Sequence, residues 1–193
     1  MKLKKVMVAV FVGCLLVACK PEPAPVALAP PKAAVSAAAV SASPSRGEGT
    51  AKPDYPKLVV KTFDGQEFDL SKQRGKWVVV NYWATWCNPC LKEIPDLDAM
   101  DKAREDLVVI GLAYEEIERA DMEAFLKQHT LSYPIALVDV YDPPADFETP
   151  KGLPMTYLIA PDGKVASRHL GPVTSQELSD EIKAAQAKAE PAA

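Results

Sequence analysis

Histidine, cysteine and glycine are all scarce in this chain, at 2, 4 and 9 of 193 residues. Two histidines cannot alone furnish a metal centre, and nine glycines exclude a collagen-like repeat. A dinucleotide or flavin has no motif to hold it: the nearest approach, Gly47-Glu48-Gly49, lies in a proline-rich stretch and not between a strand and a helix. Basic residues are too few for a nucleic-acid partner, since 22 Lys and Arg face 26 Asp and Glu and phosphate binding needs a basic face. No heptad is sustained, and the longest apolar run, Val6 to Val17, is too short to span a bilayer as a stable helix. What remains is a chain 48% hydrophobic and 25% charged, enough for one domain with a real core and hardly two. Proline, at 18, is the excess that needs a place.

Lys2, Lys4 and Lys5 followed by that short apolar run read as a signal segment over residues 1–18. Without it the chain keeps 19 basic and 26 acidic residues, a net charge of −7. Leu16-Val17-Ala18-Cys19 resembles the bacterial lipobox, which implies cleavage after Ala18 and a lipidated Cys19 as the new N-terminus. Several acyl chains would anchor it stably to a membrane, where one would not. An ordinary secretory signal cut elsewhere, or an uncleaved anchor, is the alternative. Lys20 leaves open whether the inner or the outer membrane holds the anchor. Eight prolines, ten alanines and four serines crowd into residues 20–56, where nothing can build a core. Residues 19–55 are therefore expected to be a tether, with an end-to-end distance of roughly 30–40 Å.

Periodicity begins at Pro56. Leu58 to Phe63 and Gln66 to Leu70 flank the turn signal Asp64-Gly65 and predict a β-hairpin. Trp77 to Trp83 is a continuous apolar run broken only by Asn81, the mark of a strand buried on both faces. A helix is expected from Asn88 to Arg104, bent by Pro95. Val108 to Tyr114 reads as a strand, and Asp121 as the cap of a short helix to His129. Ile135 to Val138, Thr156 to Ile159 and Lys164 to Leu170 supply three more strands. Thr174-Ser175-Gln176-Glu177 fits a capping box opening a last helix to Ala187. The alternation predicts an α/β domain over residues 56–187, a three-layer α/β/α sandwich with a mixed sheet and an N-terminal β-hairpin, followed by a disordered tail, 188–193.

With Cys14 in the signal segment and Cys19 given to lipid, two thiols are left for chemistry, in Trp86-Cys87-Asn88-Pro89-Cys90. They stand where a buried strand passes into a helix, the setting in which C-x-x-C reads as a thioredoxin-like redox motif. Unpaired N–H groups and the helix dipole favour an anion there, so Cys87 is the expected nucleophile and Cys90, one turn in, the resolving thiol. A metal site would need more soft ligands than His129 and His169, which are expected at the surface. A static disulfide closing so small a loop would stabilise little. The Pro-x-x-x-Thr-x-x-Cys pattern of peroxiredoxins is absent, since Val80 and Ala84 stand at those positions.

The stretch from Val78 to Cys90, with Trp83-Ala84-Thr85-Trp86-Cys87 at its heart, resembles the TlpA/ResA-like family of extracytoplasmic thioredoxin-fold thiol-disulfide oxidoreductases. Gly152-Leu153-Pro154-Met155-Thr156-Tyr157-Leu158-Ile159 matches the family's second motif, and the likeness covers about Leu58 to Ile182. It implies that Leu153-Pro154 is a cis peptide facing the cysteines, with Leu153 lining a groove where a substrate peptide can add as a strand. Trp86, just before the nucleophile, shapes the docking surface in such proteins. Glu93, three residues after Cys90, occupies the family's acidic position and is expected to exchange protons with the resolving thiol; an exposed first-turn acid is the plainer reading. Asn81 stands where cytoplasmic thioredoxins put a buried aspartate. Residues 139–151, with three prolines, depart from the family pattern of a short helix, and read as an acidic loop or a solvated connector.

Asn88-Pro89 resembles the reducing members of the fold, so disulfide reduction is the expected direction. Oxidase or isomerase activity is the alternative, as is a lipid-anchored module that holds thiol clients or a metal without turnover. With no dinucleotide or flavin motif, no cofactor is expected; the resemblance implies a transmembrane thiol donor of the DsbD or CcdA kind, and oxidised cysteine-containing proteins of the bacterial periplasm as substrates, apocytochrome c among them. A monomer is expected.

Overall fold

A computed structural model describes residues 52–189 of the chain; the signal segment, Cys19 and the tether up to residue 51 lie outside the described residues. Strands β1 (Val59–Lys61) and β2 (Glu67–Asp69) form the expected antiparallel hairpin. Its turn requires a positive φ at Gly65, 89°, which a residue with a Cβ rarely adopts. A 3-10 turn, Leu70–Gln73, leads to β3 (Trp77–Trp83), all seven of whose residues are buried. Such a run suits a strand covered on both faces, and β3 is the central strand of a five-stranded sheet.

Helix α1 (Asn88–Ala103) carries the chain from β3 to the parallel β4 (Leu107–Tyr114). It runs through Pro95 without interruption. Helix α2 (Arg119–Gln128) leads to the parallel β5 (Ile135–Val138). Glu118, not Asp121, is its N-cap residue, and Asp121 lies in the first turn, where a carboxylate favours the dipole without capping. Strand β6 (Met155–Ile159) pairs antiparallel with β3, and β7 (Val165–Leu170) with β6. Helix α3 (Ser175–Ala189) closes the domain, two residues longer than the sequence predicts. The capping box that opens it is present: Glu177 N–H donates to Thr174 Oγ1, and Thr174 N–H donates to the Glu177 carboxylate.

The sheet is covered differently on its two faces. Trp77, Val79 and Trp83 point to the face on which α1, α2 and α3 bury Leu97, Met122 and Leu178. Val78, Val80 and Tyr82 point to the other face, where they meet Leu58, Phe68, Leu70 and Phe147. The second covering layer is thus made by the hairpin, the 3-10 turn and the 139–151 segment, in place of a helix. Pro143, Pro144 and Pro150 deny that segment the backbone N–H groups and angles that a helix needs.

Residues 52–55, assigned to the tether by composition, lie against this second face. Lys52 Nζ donates to Ala145 O, and Val165 N–H donates to Asp54 O.

Candidate active site

Cys87 is the N-cap residue of α1, in extended backbone, and its sulfur accepts the N–H of Cys90 at 3.3 Å. Pro89 occupies the first turn, where its missing N–H costs nothing. Cys87 and Cys90 are joined as a disulfide with Cα atoms 5.3 Å apart. Both are buried, Cys90 completely. Attack from outside therefore falls on Cys87, the sulfur at the helix end, where the dipole and free N–H groups stabilise its thiolate once reduced.

Around this pair the sequence-predicted residues take distinct stations. Trp86 stands 67% exposed just before the nucleophile, whereas Tyr82 and Trp83 are core. Leu153-Pro154 is a cis peptide, and Leu153 packs against the cluster that holds both cysteines. Trp86, Gly152 and Leu153 line a groove of about 480 Å³ with Tyr114, Val140 and Glu116. The 139–151 segment forms one wall, held by Tyr114, whose hydroxyl donates to Val140 O. His129 stacks on Phe125 and His169 bonds Glu181 and Ser167, so neither joins the cysteines.

Glu93 is buried, only 4% exposed. Its Oε1 accepts from Asn81 Nδ2 at 2.8 Å, and its Oε2 accepts from Val173 N–H at 2.9 Å. Burial pushes the carboxyl up to about 7, against the pull of these two donors. A group poised there can hold or release a proton near neutral pH, as proton exchange with a thiol requires. Asn81 Nδ2 also donates to Thr156 Oγ1 of β6, so a buried polar line crosses three elements beneath the disulfide.

One contributor escaped the sequence reading. Glu115 follows β4, and its two oxygens accept from Thr85 N–H and Thr85 Oγ1, at 2.7 and 2.9 Å. Continuing the parallel register Trp83↔Ala113 by two residues brings Thr85 beside Glu115. That clamp fixes the loop carrying Trp86 to Cys87. Its only signal is the strand register, which the sequence does not display.

The AhpC/TSA family model matches residues 52–168. The thioredoxin-like protein YneN of Bacillus subtilis is 31% identical over 138 residues, covering 70% of this chain and 78% of that protein. The thiol-disulfide oxidoreductase ResA of Bacillus cereus is 35% identical over 127 residues, 65% of this chain and 72% of that one. A crystal structure of a thiol:disulfide interchange protein of the thioredoxin family from Chlorobium tepidum superimposes with a TM-score of 0.58 at 25% identity, covering 70% of this chain and 97% of that one. Val80 and Ala84 still stand where a peroxiredoxin carries proline and threonine. The chain belongs to the AhpC/TSA family, as a thioredoxin-fold thiol-disulfide oxidoreductase of the TlpA/ResA-like kind.

Proposed function

We propose that this oxidoreductase works as a reductant, anchored to a bacterial membrane through lipid on Cys19 and reaching periplasmic disulfides on its proline-rich tether. The observation that carries the chemistry is the Cys87–Cys90 pair at the N-terminus of α1 with the buried Glu93 carboxyl one turn behind. In the reduced protein the Cys87 thiolate attacks one sulfur of a client disulfide. That S–S bond breaks, a mixed disulfide forms and the first client thiolate leaves. Cys90 gives its proton to Glu93, and its thiolate attacks Cys87 Sγ. The mixed disulfide breaks, the second client thiolate leaves, and two electrons have passed from the pair to the client. The proton on Glu93 is free to follow a departing thiolate.

Trp86 and Leu153 flank the place where a client segment would lie, and the backbone beside Pro154 offers it strand pairing. The lipobox at Leu16–Cys19 supports the anchor. With no cofactor motif in the chain, reducing equivalents must come from another dithiol, for which a transmembrane donor of the DsbD or CcdA kind is the expected source. Apocytochrome c before haem attachment is one candidate client.

The midpoint potential of the Cys87–Cys90 couple, measured on the full chain in detergent against defined thiol buffers, tests the direction. A value near or below roughly −270 mV, that of thioredoxin, supports a reductant. A value near roughly −120 mV, that of a strong oxidant, reverses the direction, and no reversible couple removes the enzymatic reading.

A further inference from the structure

The groove beside the disulfide has a sign as well as a shape. Its walls come from the ends of four neighbouring strands, in the sheet order β5-β4-β3-β6. Val140 follows β5, Glu115 and Glu116 follow β4, Trp86 follows β3, and Leu153 precedes β6. Glu115 spends both its oxygens on Thr85. Glu116 is free of such ties: it is exposed at the groove, has no cationic partner among the described residues, and receives one long hydrogen bond, 3.4 Å, from Tyr141 Oη to Oε2. Tyr141 is itself 80% exposed, and the nearby Asp139 and Asp142 are exposed acids.

Against these charges stands Lys151, the one cation among the described residues that line the groove. It lies two residues before Leu153, at the β6 end, and makes no ion pair with Glu116. Glu148 and Arg168, further along, neutralise each other. Charges within about 10 Å act together at physiological salt, so the end of the groove over β4 and β5 is a negative field that the protein leaves open.

We infer that this end of the groove selects clients by charge: it takes a lysine or arginine close to the client's reacting cysteine, and Glu116 is the residue that reads it. Strand spacing supports the assignment. A client segment paired with the backbone at Leu153 lies over β6, and β4 is two strands away, roughly 10 Å. Cys87, which follows β3, lies between the two. A client cysteine over Cys87 therefore has Glu116 about one strand spacing further on, within reach of a long basic side chain one to three residues along. Glu116 Oε1, left free by Tyr141, can accept from that side chain in a charge-assisted bond. Trp86, 67% exposed, gives a guanidinium a flat ring to lie on. An acidic side chain in the same place meets like charge, with only the Tyr141 hydroxyl as a donor. The prolines that deny residues 139–151 a helix thus leave a wall that carries Asp139, Tyr141 and Asp142 to the rim of the groove.

This inference deepens the proposed function and rests on the Cys87–Cys90 pair reducing client disulfides. The test uses the reduced full chain in detergent and two symmetric peptide disulfides, dimers of a five-residue peptide with arginine, or glutamate, on both sides of its cysteine. Each stopped-flow rate at low salt is divided by the rate of dithiothreitol with the same peptide, which removes the intrinsic reactivity of the disulfide. Wild type should favour the arginine peptide by roughly tenfold. Glu116→Gln should cut that preference by roughly threefold. Glu105→Gln removes the same charge from an exposed position at the other end of β4, roughly 30 Å away, and should leave the preference unchanged. Wild-type rates within twofold of each other overturn the inference while leaving the reductant reading standing. A preference that Glu116→Gln does not move, or that Glu105→Gln lowers equally, also overturns it, since the field of the whole chain then does the selecting. If the reduced chain converts neither peptide, nor neutral hydroxyethyl disulfide, the reductant reading falls and this inference with it.

Discussion

The two faces of the central sheet alternate along the same strands, yet they are furnished for different work. Facing the helices, β3 and β6 bring Asn81 and Thr156 into an apolar layer, and α1 adds Glu93 and the cysteines. Facing the hairpin, the same strands bring Tyr82 and Tyr157 against Phe147, with ring centroids 6.3 and 5.0 Å from the last, and no charged group of the described residues is buried there. A buried carboxyl costs stability unless something is gained from it, whereas an aromatic cluster only adds to cohesion. The comparison separates a reactive face from a holding face in one sheet, and substitutions on either side can break or sharpen it.

The largest effect expected is on the holding face. Phe147→Ala should lower unfolding free energy by about 3–5 kcal/mol through the cavity it leaves. Disulfide-exchange rates of the folded variant should stay near those of wild type, with chemical denaturation giving the first quantity and stopped-flow thiol exchange the second. A large loss of rate would show that the faces are not independent.

On the reactive face, Glu93 makes stability depend on pH. Its folded value, about 7, lies above the ordinary 4.5 because of burial. Its contribution is therefore complete below about pH 4.5 and is lost as pH rises through 7. The difference corresponds to about 3 kcal/mol of stability lost between roughly pH 4 and 8. Glu93→Gln should flatten that slope, as denaturant titrations at a series of pH values would reveal. An equal slope in both proteins would place the titration elsewhere.

Glu115→Gln should cost least. Its carbonyl can still accept one Thr85 bond, so the clamp weakens by about 1 kcal/mol and exchange by a few-fold. A double-mutant cycle with Thr85→Val measures the coupling, which should vanish if the pair does not act together.

Much of this face was legible in the sequence, and for reasons that are local. Cys87 and Cys90 are three residues apart at a strand-to-helix junction, and Glu93 follows one helical turn later on the same chain. Their relation needs only the period of a helix. The hairpin and the Thr174 capping box were legible for the same cause. The mis-assigned cap of α2 shows the limit of such signals, since Asp121 is a good cap residue three positions too late for a helix capped at Glu118. The contributions of Thr156 and Glu115 arise from the order and register of strands, which no local pattern states.

By itself, then, the sequence determined the redox pair, its polarity at the helix end, and the alternation of strands and helices. Each follows from spacing of a few residues or from how much apolar surface a segment can bury. Only the tertiary structure decided that all three helices would gather on one face, that the proline-rich 139–151 segment would replace a helix on the other, and that Asn81 and Val173 would converge on Glu93. Those outcomes come from strand order and register, which bring residues 12 to 80 positions apart within hydrogen-bond reach. Such contacts are selected by the packing of the whole domain, because only there does burial outweigh the entropy of closing the long loops between them.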